Sequence, residues 1–283
     1  MKGTIHSLKR RIKSIRSTGQ MTNAMKTVAI SKYNRTLAAL QLFTPYYDAC
    51  SALLAEVGFA PNGNEIKRGN KICFVVLTAN RGLCGTYNND VFKKLSEVIP
   101  PDGNYCVVIC GRWGQNSYKS KQIQNVIKCF DIPDIPDYGS ASALAAYLQG
   151  LYESDTEIGS VRFVMQEFIN IMTQIPTENE YLPPAVLDTA AQTEYVFDPD
   201  KAQLSQGLQT RCLNAAVYKY LLSSAVGAHG AMFVAMRTSA ENSEEMLNNL
   251  ELELNRMRQT AVTTQVIEIA SGNIAALNTE GEN

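Results

Sequence analysis

Apolar residues follow three different rules along this chain. Near the start they recur three or four positions apart. Ile5, Leu8, Ile12 and Ile15 form one stripe, SerThrGlyGln at 17–20 interrupts it, and Met21, Met25 and Val28 resume on a shifted one. The spacing predicts a helix with a coiled-coil seam and a register break. In the middle, apolar residues run together. KICFVVLT (71–78), NYCVVIC (104–110) and SVRFVMQEF (160–168) are β-branched blocks bounded by Gly, Pro, Asn and Asp, and they read as strands. Amphipathic YNNDVFKKLSEVI (87–99) and SASALAAYLQGLYES (140–154) alternate with them, which predicts an α/β unit with a mostly parallel sheet. Toward the end the three-four step returns at Leu247, Leu250, Leu254, Met257 and Ala261. Upstream, a broader face runs through Leu222, Ala225, Val226, Met232, Phe233 and Met236.

Proline marks the same three regions. All ten prolines fall between Pro45 and Pro199. Proline inside a helix costs about 3 kcal/mol, so the long proline-free ends, filled with Ala, Leu, Met, Gln, Glu and Lys, read as two long helices. The expected division is an N-terminal helix over 1–58, a Rossmann-like α/β domain over 70–200, and a C-terminal helix over 201–283. The Pro- and Asp-rich stretch 178–200 reads as an irregular return to the last helix. A helix over roughly 207–277 would be about 105 Å long at about 1.5 Å per residue, against a diameter of about 50 Å for a compact globule of this length. The expectation is therefore a projecting antiparallel coiled coil of the two end helices.

Charge sharpens this picture. The net charge of the 283 residues is -1, but Met1 to Leu40 holds nine Lys or Arg and no acid, whereas Glu241 to Asn283 holds eight Glu against Arg256 and Arg258. The two ends are electrostatic complements. No apolar run is long enough to span a bilayer, so direct membrane insertion is not expected. The seven cysteines include no C-x-x-C and mostly sit in apolar runs, as small buried hydrophobes do in a reducing compartment. Cys106 and Cys110 face one side of one strand and fill core.

Chemistry is sparse. VVLTANRGLCGTYNND (75–90) runs from a strand through a glycine turn into a helix, the setting of a phosphate loop. It lacks the Lys and hydroxyl order of a Walker sequence and has only two glycines of a dinucleotide fingerprint. A tight turn whose glycines permit close packing is the better reading. His6 and His229 stand apart, with no cluster around them to make a triad or a metal site. No catalytic residue, cofactor or metal is expected.

Three segments carry a resemblance. IHSLKRRIKSIRSTGQMTNAMKTVAISK at the start, NRGLCGTYN (80–88) in the middle and RMRQTAVTTQVIEIASGNIAAL (256–277) at the end are similar, in order and over the whole length, to the gamma subunit of F-type rotary ATP synthases. EYVFDPD (194–200) is similar to that family's Tyr-x-aromatic-Glu-Pro-Asp stretch. Asn80 stands for the usual Asp, Gln265 for Glu, Ile274 for a small residue and Asp198 for Glu.

The resemblance implies a non-catalytic central-stalk rotor subunit. Its partners would be the hexamer of alpha and beta subunits, the epsilon subunit and the membrane c-ring. It implies polar contacts from Arg258 and Gln259 to a beta-subunit loop, with Thr263 and Glu268 in the same stretch, and an apolar bearing contact from Met25. Tyr195, Phe197 and Asp198 would face the c-ring or epsilon. The implied location is peripheral, on the cytoplasmic face of a bacterial inner membrane. Lys9, Arg10, Arg11, Lys13 and Arg16 allow one alternative, a nucleic-acid-binding coiled-coil protein. They carry no interleaved aromatic, and pairing with the acidic helix plus contact with acidic subunit loops explains them better.

Overall fold

The computed structural model describes residues 2–57, 69–183 and 201–280. Helix α1 runs Lys2–Val57 and helix α5 runs Lys201–Glu280. Between them come β1 (Lys71–Leu77), α2 (Tyr87–Val98), β2 (Tyr105–Cys110), α3 (Arg112–Ser117), β3 (Val126–Phe130), α4 (Tyr138–Ser154), β4 (Ile158–Asn170) and β5 (Thr173–Leu182). The chain divides into two units, Met1–Lys26 with Met236–Asn283, and Thr27–Ala235.

The unit made by the chain ends is an antiparallel helix pair. Leu8, Ile12 and Ile15 of α1 pack against Leu247, Leu250, Leu254 and Met257 of α5. Arg16 stands level with Glu251, and Gly19 with Ser243, so one helix descends as the other rises. The register break expected after Ile15 does not occur. The covered positions continue through Gly19 and Thr22 on the same three-four step, while Met21 and Val28 remain 62 % and 53 % exposed. Small residues take over the seam because the helices come close there. A Cβ on Gly19 would touch the Ser243 Cβ at 3.5 Å. Thr22 hides its hydroxyl by donating to the carbonyls of Thr18 and Gly19.

The second unit is a five-stranded sheet in the order β3-β2-β1-β4-β5, parallel except for β5, which runs antiparallel to β4. β1 shows why its apolar residues are continuous rather than alternating. Cys73, Val75 and Leu77 face α4 and α5 through Leu144, Leu148, Val217 and Leu221, while Phe74 and Val76 face α2 through Val91, Phe92 and Leu95. Cys106 and Cys110 lie in the first of these layers as core, and all seven cysteines are free thiols. α5 is broadly buried in this unit, from Cys212 to Gly230.

Three elements depart from the sequence reading. β3, α3 and β5 are additional elements, and β5 extends ordered structure into the segment expected to be irregular from residue 178. Pro176 fits within β5 because this is an edge strand with no outer neighbour for its missing N–H. Pro45 lies inside α1, within the span expected for the first helix. Just before it, the Thr44 hydroxyl donates to the Leu40 carbonyl at 2.7 Å.

Candidate partner-contact surfaces

The glycine turn after β1 is closed by its own side chains. The buried Asn88 accepts from the Ala79 N–H at 2.9 Å and donates toward the Arg81 carbonyl at 3.5 Å and the Cys84 sulfur at 3.3 Å. An anion would have to displace that carboxamide, and Asp90 in the first turn of α2 would oppose it. The glycines also do less packing than the sequence suggests. A Cβ on Gly85 would meet nothing within 4 Å, and the need for glycine there is its φ of +61°. Tyr87, which opens α2, donates to the Ser224 carbonyl of α5 at 2.7 Å, and Gly227 lets the ring lie close.

A polar cluster that the sequence reading missed joins α1, the turn, the loop after β3 and α5. Lys32 pairs with Asp134, and Asn80 donates to Asp134 Oδ1 at 2.9 Å and to the Ile132 carbonyl at 2.7 Å. His229 Nε2 donates to the Asp134 carbonyl at 2.8 Å. Burial, more than any charge nearby, holds the His229 imidazole below its ordinary pKa. The Lys32 and Asn80 hydrogen bonds keep the Asp134 carboxyl below the usual carboxylate range in spite of partial burial. The one hint in the sequence was DIPDIPD (131–137), which spends an acid every third residue on a different partner.

In the helix pair, the residues of α5 singled out for contact point outward. Arg258, Gln259, Thr263 and Glu268 are exposed, and Thr263 turns its hydroxyl back to the Gln259 carbonyl at 2.9 Å. Met25 is half-buried, between the covered Thr22 and the exposed Val28. Tyr195, Phe197 and Asp198 lie outside the described residues. The apolar seam of the helix pair reaches Met257, and α5 continues past it. There Val266, Ile267 and Ile269 are each more than half exposed. These apolar residues were not singled out from the sequence, although Val266 and Ile269 stand out as β-branched positions past the end of the seam.

The charge complementarity of the two ends is hardly used internally. Among the described residues one ion pair, Arg16 to Glu251 at 2.8 Å, joins α1 to α5 in this unit. Lys9, Arg10, Arg11 and Lys13 are exposed and form no ion pair among the described residues. They lie level with Arg256 and Arg258, also exposed, because Leu8 and Ile12 pack near Leu254 and Met257.

Two long helices and a mostly parallel sheet, with exposed polar residues on the last helix and a glycine turn closed on itself, suit a subunit that works through its partners. The comparisons with known proteins identify which. The family described as ATP synthase matches residues 4–277. The ATP synthase gamma chain of Pelotomaculum thermopropionicum is 30 % identical over 278 residues, covering 95 % of this chain and 98 % of that protein. That of Symbiobacterium thermophilum is 31 % identical over 277 residues, covering 94 % and 96 %. In fold, the chain is similar to one in the rotor of the Euglena gracilis mitochondrial ATP synthase, with TM-score 0.69, 16 % identity and coverage of 93 % of this chain and 100 % of that one. It is also similar to a chain of the central stalk and c-ring assembly of Tetrahymena thermophila, with TM-score 0.59, 16 % identity and coverage of 77 % and 98 %. The chain belongs to the ATP synthase gamma family. It is a non-catalytic central-stalk subunit, and the nucleic-acid reading of its basic helix has no support. No helix among the described residues is long and apolar enough to cross a membrane.

Proposed function

We propose that the helix pair turns inside the cavity of a hexamer of alternating alpha and beta subunits. The α/β unit meets the epsilon subunit and the membrane c-ring. Ion-driven rotation of that ring reaches the hexamer as conformational change that drives ATP synthesis. In this division residues 1–58 and 201–283 are the shaft and 70–200 the foot, on the cytoplasmic face of a bacterial inner membrane. Each beta subunit meets a different side of the pair and is held in its own conformation. A turn exchanges those conformations in order, because each state makes different contacts.

The observation that carries this reading is the outward apolar stretch of α5 beyond the seam. Val266, Ile267 and Ile269 are apolar and exposed, and Arg258 has no ion-pair partner among the described residues. A helix surface of this kind is finished by other chains. Arg258 and Gln259 make polar contact with a beta-subunit loop, with Thr263 and Glu268 alongside. Met25 supplies an apolar, flexible contact that slides rather than locks. Tyr195, Phe197 and Asp198 face the c-ring or epsilon.

The test is to express the chain with its alpha, beta, epsilon and c-ring partners. Co-purification with alpha and beta is required by the reading as a whole. The double change Arg258→Ala with Gln259→Ala should preserve assembly and lower ion pumping relative to ATP hydrolysis. Full coupling in that variant would remove these two residues from the contact.

A further inference from the structure

The α/β unit contains a cavity of ≈ 70 Å³ where β1 and β2 end. It is lined by Leu77 and Cys110 at the strand ends, the Asn80–Arg81 turn, the Ile132–Asp134 loop, Lys32 of α1 and His229 of α5. The location has a meaning in this fold. From β1 the chain moves to β2 on one side and later returns to β4 on the other, so the switch of direction falls beside β1. The carboxyl ends of parallel strands at such a switch are where open α/β sheets leave a crevice for a ligand.

Three of the residues that line the cavity carry charged side chains, Lys32, Arg81 and Asp134. Lys32 and Asn80 occupy the two carboxylate oxygens of Asp134. His229 gives its Nε2 proton to the Asp134 carbonyl and is held toward its neutral form by burial. Arg81 is left over. It is exposed, and its guanidinium has no hydrogen-bond or ion-pair partner among the described residues. The space therefore carries one uncommitted positive charge. The rest of the lining is largely apolar, including Val28, Leu221 and Met232.

Size narrows the ligand. A water needs about 10–15 Å³ in this measure, so the cavity takes on the order of five to seven non-hydrogen atoms. A nucleotide is several times too large. Inorganic phosphate would fit but would gain nothing from apolar walls.

We propose that this cavity binds a small organic monocarboxylate, with its carboxylate on Arg81 and its short apolar body against Val28, Leu221 and Met232. Arginine suits the task because its planar fork meets both carboxylate oxygens at once. The bound molecule touches α1, α5 and the turn together, so occupancy resists their separation. The proposal does not depend on the rotor reading, since every group it uses belongs to one unit of this chain.

The test uses the full-length chain and butyrate, a monocarboxylate of the right size. Saturation-transfer NMR and the thermal unfolding midpoint are read against butyrate concentration. Binding should saturate with a Kd of about 1 mM, as expected of so small a ligand, and the midpoint should rise as the site fills. Arg81→Gln, a change at an exposed position, should keep the fold and weaken butyrate at least tenfold. Ala225→Leu, which fills part of the cavity wall, should weaken it by a different route. Neutral butyramide should bind at least tenfold more weakly than butyrate, and phosphate at matched ionic strength should not compete. Absence of saturable binding, unchanged affinity in Arg81→Gln, or equal binding of butyramide or phosphate would each overturn the proposal.

Discussion

Gly111 lies so close to Thr78 that a Cβ on it would come within 2.2 Å of the Thr78 carbonyl oxygen. The contact joins the end of β2 to the end of β1, and the Thr78 hydroxyl reinforces it by donating to the Cys110 carbonyl at 2.9 Å. Gly111 also has a φ of +99°, a conformation that a side chain disfavours. Gly111→Ala therefore meets both strain and overlap and should cost about 3–5 kcal/mol. Urea unfolding of the isolated chain would show this as a large drop in midpoint. Gly85→Ala is the informative comparison, because only the φ term applies there, and its loss should be about 1–2 kcal/mol.

The helix pair is held by its seam rather than by its charges. Ile12 is buried against Leu250 and its neighbours, so Ile12→Ala should cost about 2–3 kcal/mol. Arg16→Ala removes an ion pair between two largely exposed side chains and should cost less than about 0.5 kcal/mol. Amide hydrogen exchange across residues 243–257 would resolve the two. An equal loss of protection in both variants would mean that the charges matter more than the packing.

His229 makes the α/β unit sensitive to acid. Its folded pKa lies below the ordinary 6.5, so the unfolded chain takes up a proton more readily. The stability it contributes is full above pH 6.5 and is lost as pH falls through the lower folded value. The surrounding groups are Lys32, whose charge adds to this depression, and Asp134, which opposes it. Stability measured from pH 7.5 to 5 should fall, and His229→Gln should flatten part of that slope. An unchanged slope in the variant would assign the acid sensitivity to other groups.

Met25 lies half in and half out of cover, which decides between two outcomes for Met25→Lys. A fully buried position would leave an ammonium unsolvated and unfold the pair. Here the long stem can follow the helix surface and place its charge in water. The isolated chain should lose less than about 1 kcal/mol. An assembled enzyme carrying the variant should still hydrolyse ATP and should pump ions poorly, because a cation held by one stator position favours one angle. Unfolding of the isolated chain would return Met25 to the core.

The long helices were legible because absence of proline and a three-four apolar step are both local signals. The seam between Ile15 and Ala29 was not. Counting large apolar residues selects Met21 and Val28, whereas the covered positions are Gly19, whose fitness depends on Ser243 more than two hundred residues away, and Thr22. β1, β2 and β4 declare themselves by continuous burial, which an edge strand does not have. VIKCF and TQIPTENEYL carry polar residues and a proline because each has a neighbour on one side alone. The outward residues of α5 came from a resemblance. The Lys32, Asn80, Asp134 and His229 cluster had no spacing to reveal it, since its members come from four separate segments that the fold brings together.

The positive residues at Lys9–Lys13 are joined at about their own level by Arg256 and Arg258 on the other helix, with Glu253 among them, and Glu241, Glu244 and Glu245 stand lower on the pair. Positive charge thus predominates around the pair at this level. The energy of such a band in the field of a surrounding collar of charge changes with height along the axis and little with angle about it. Inside a collar of negative charge the pair would resist sliding and still be free to turn, as a thrust bearing holds an axle.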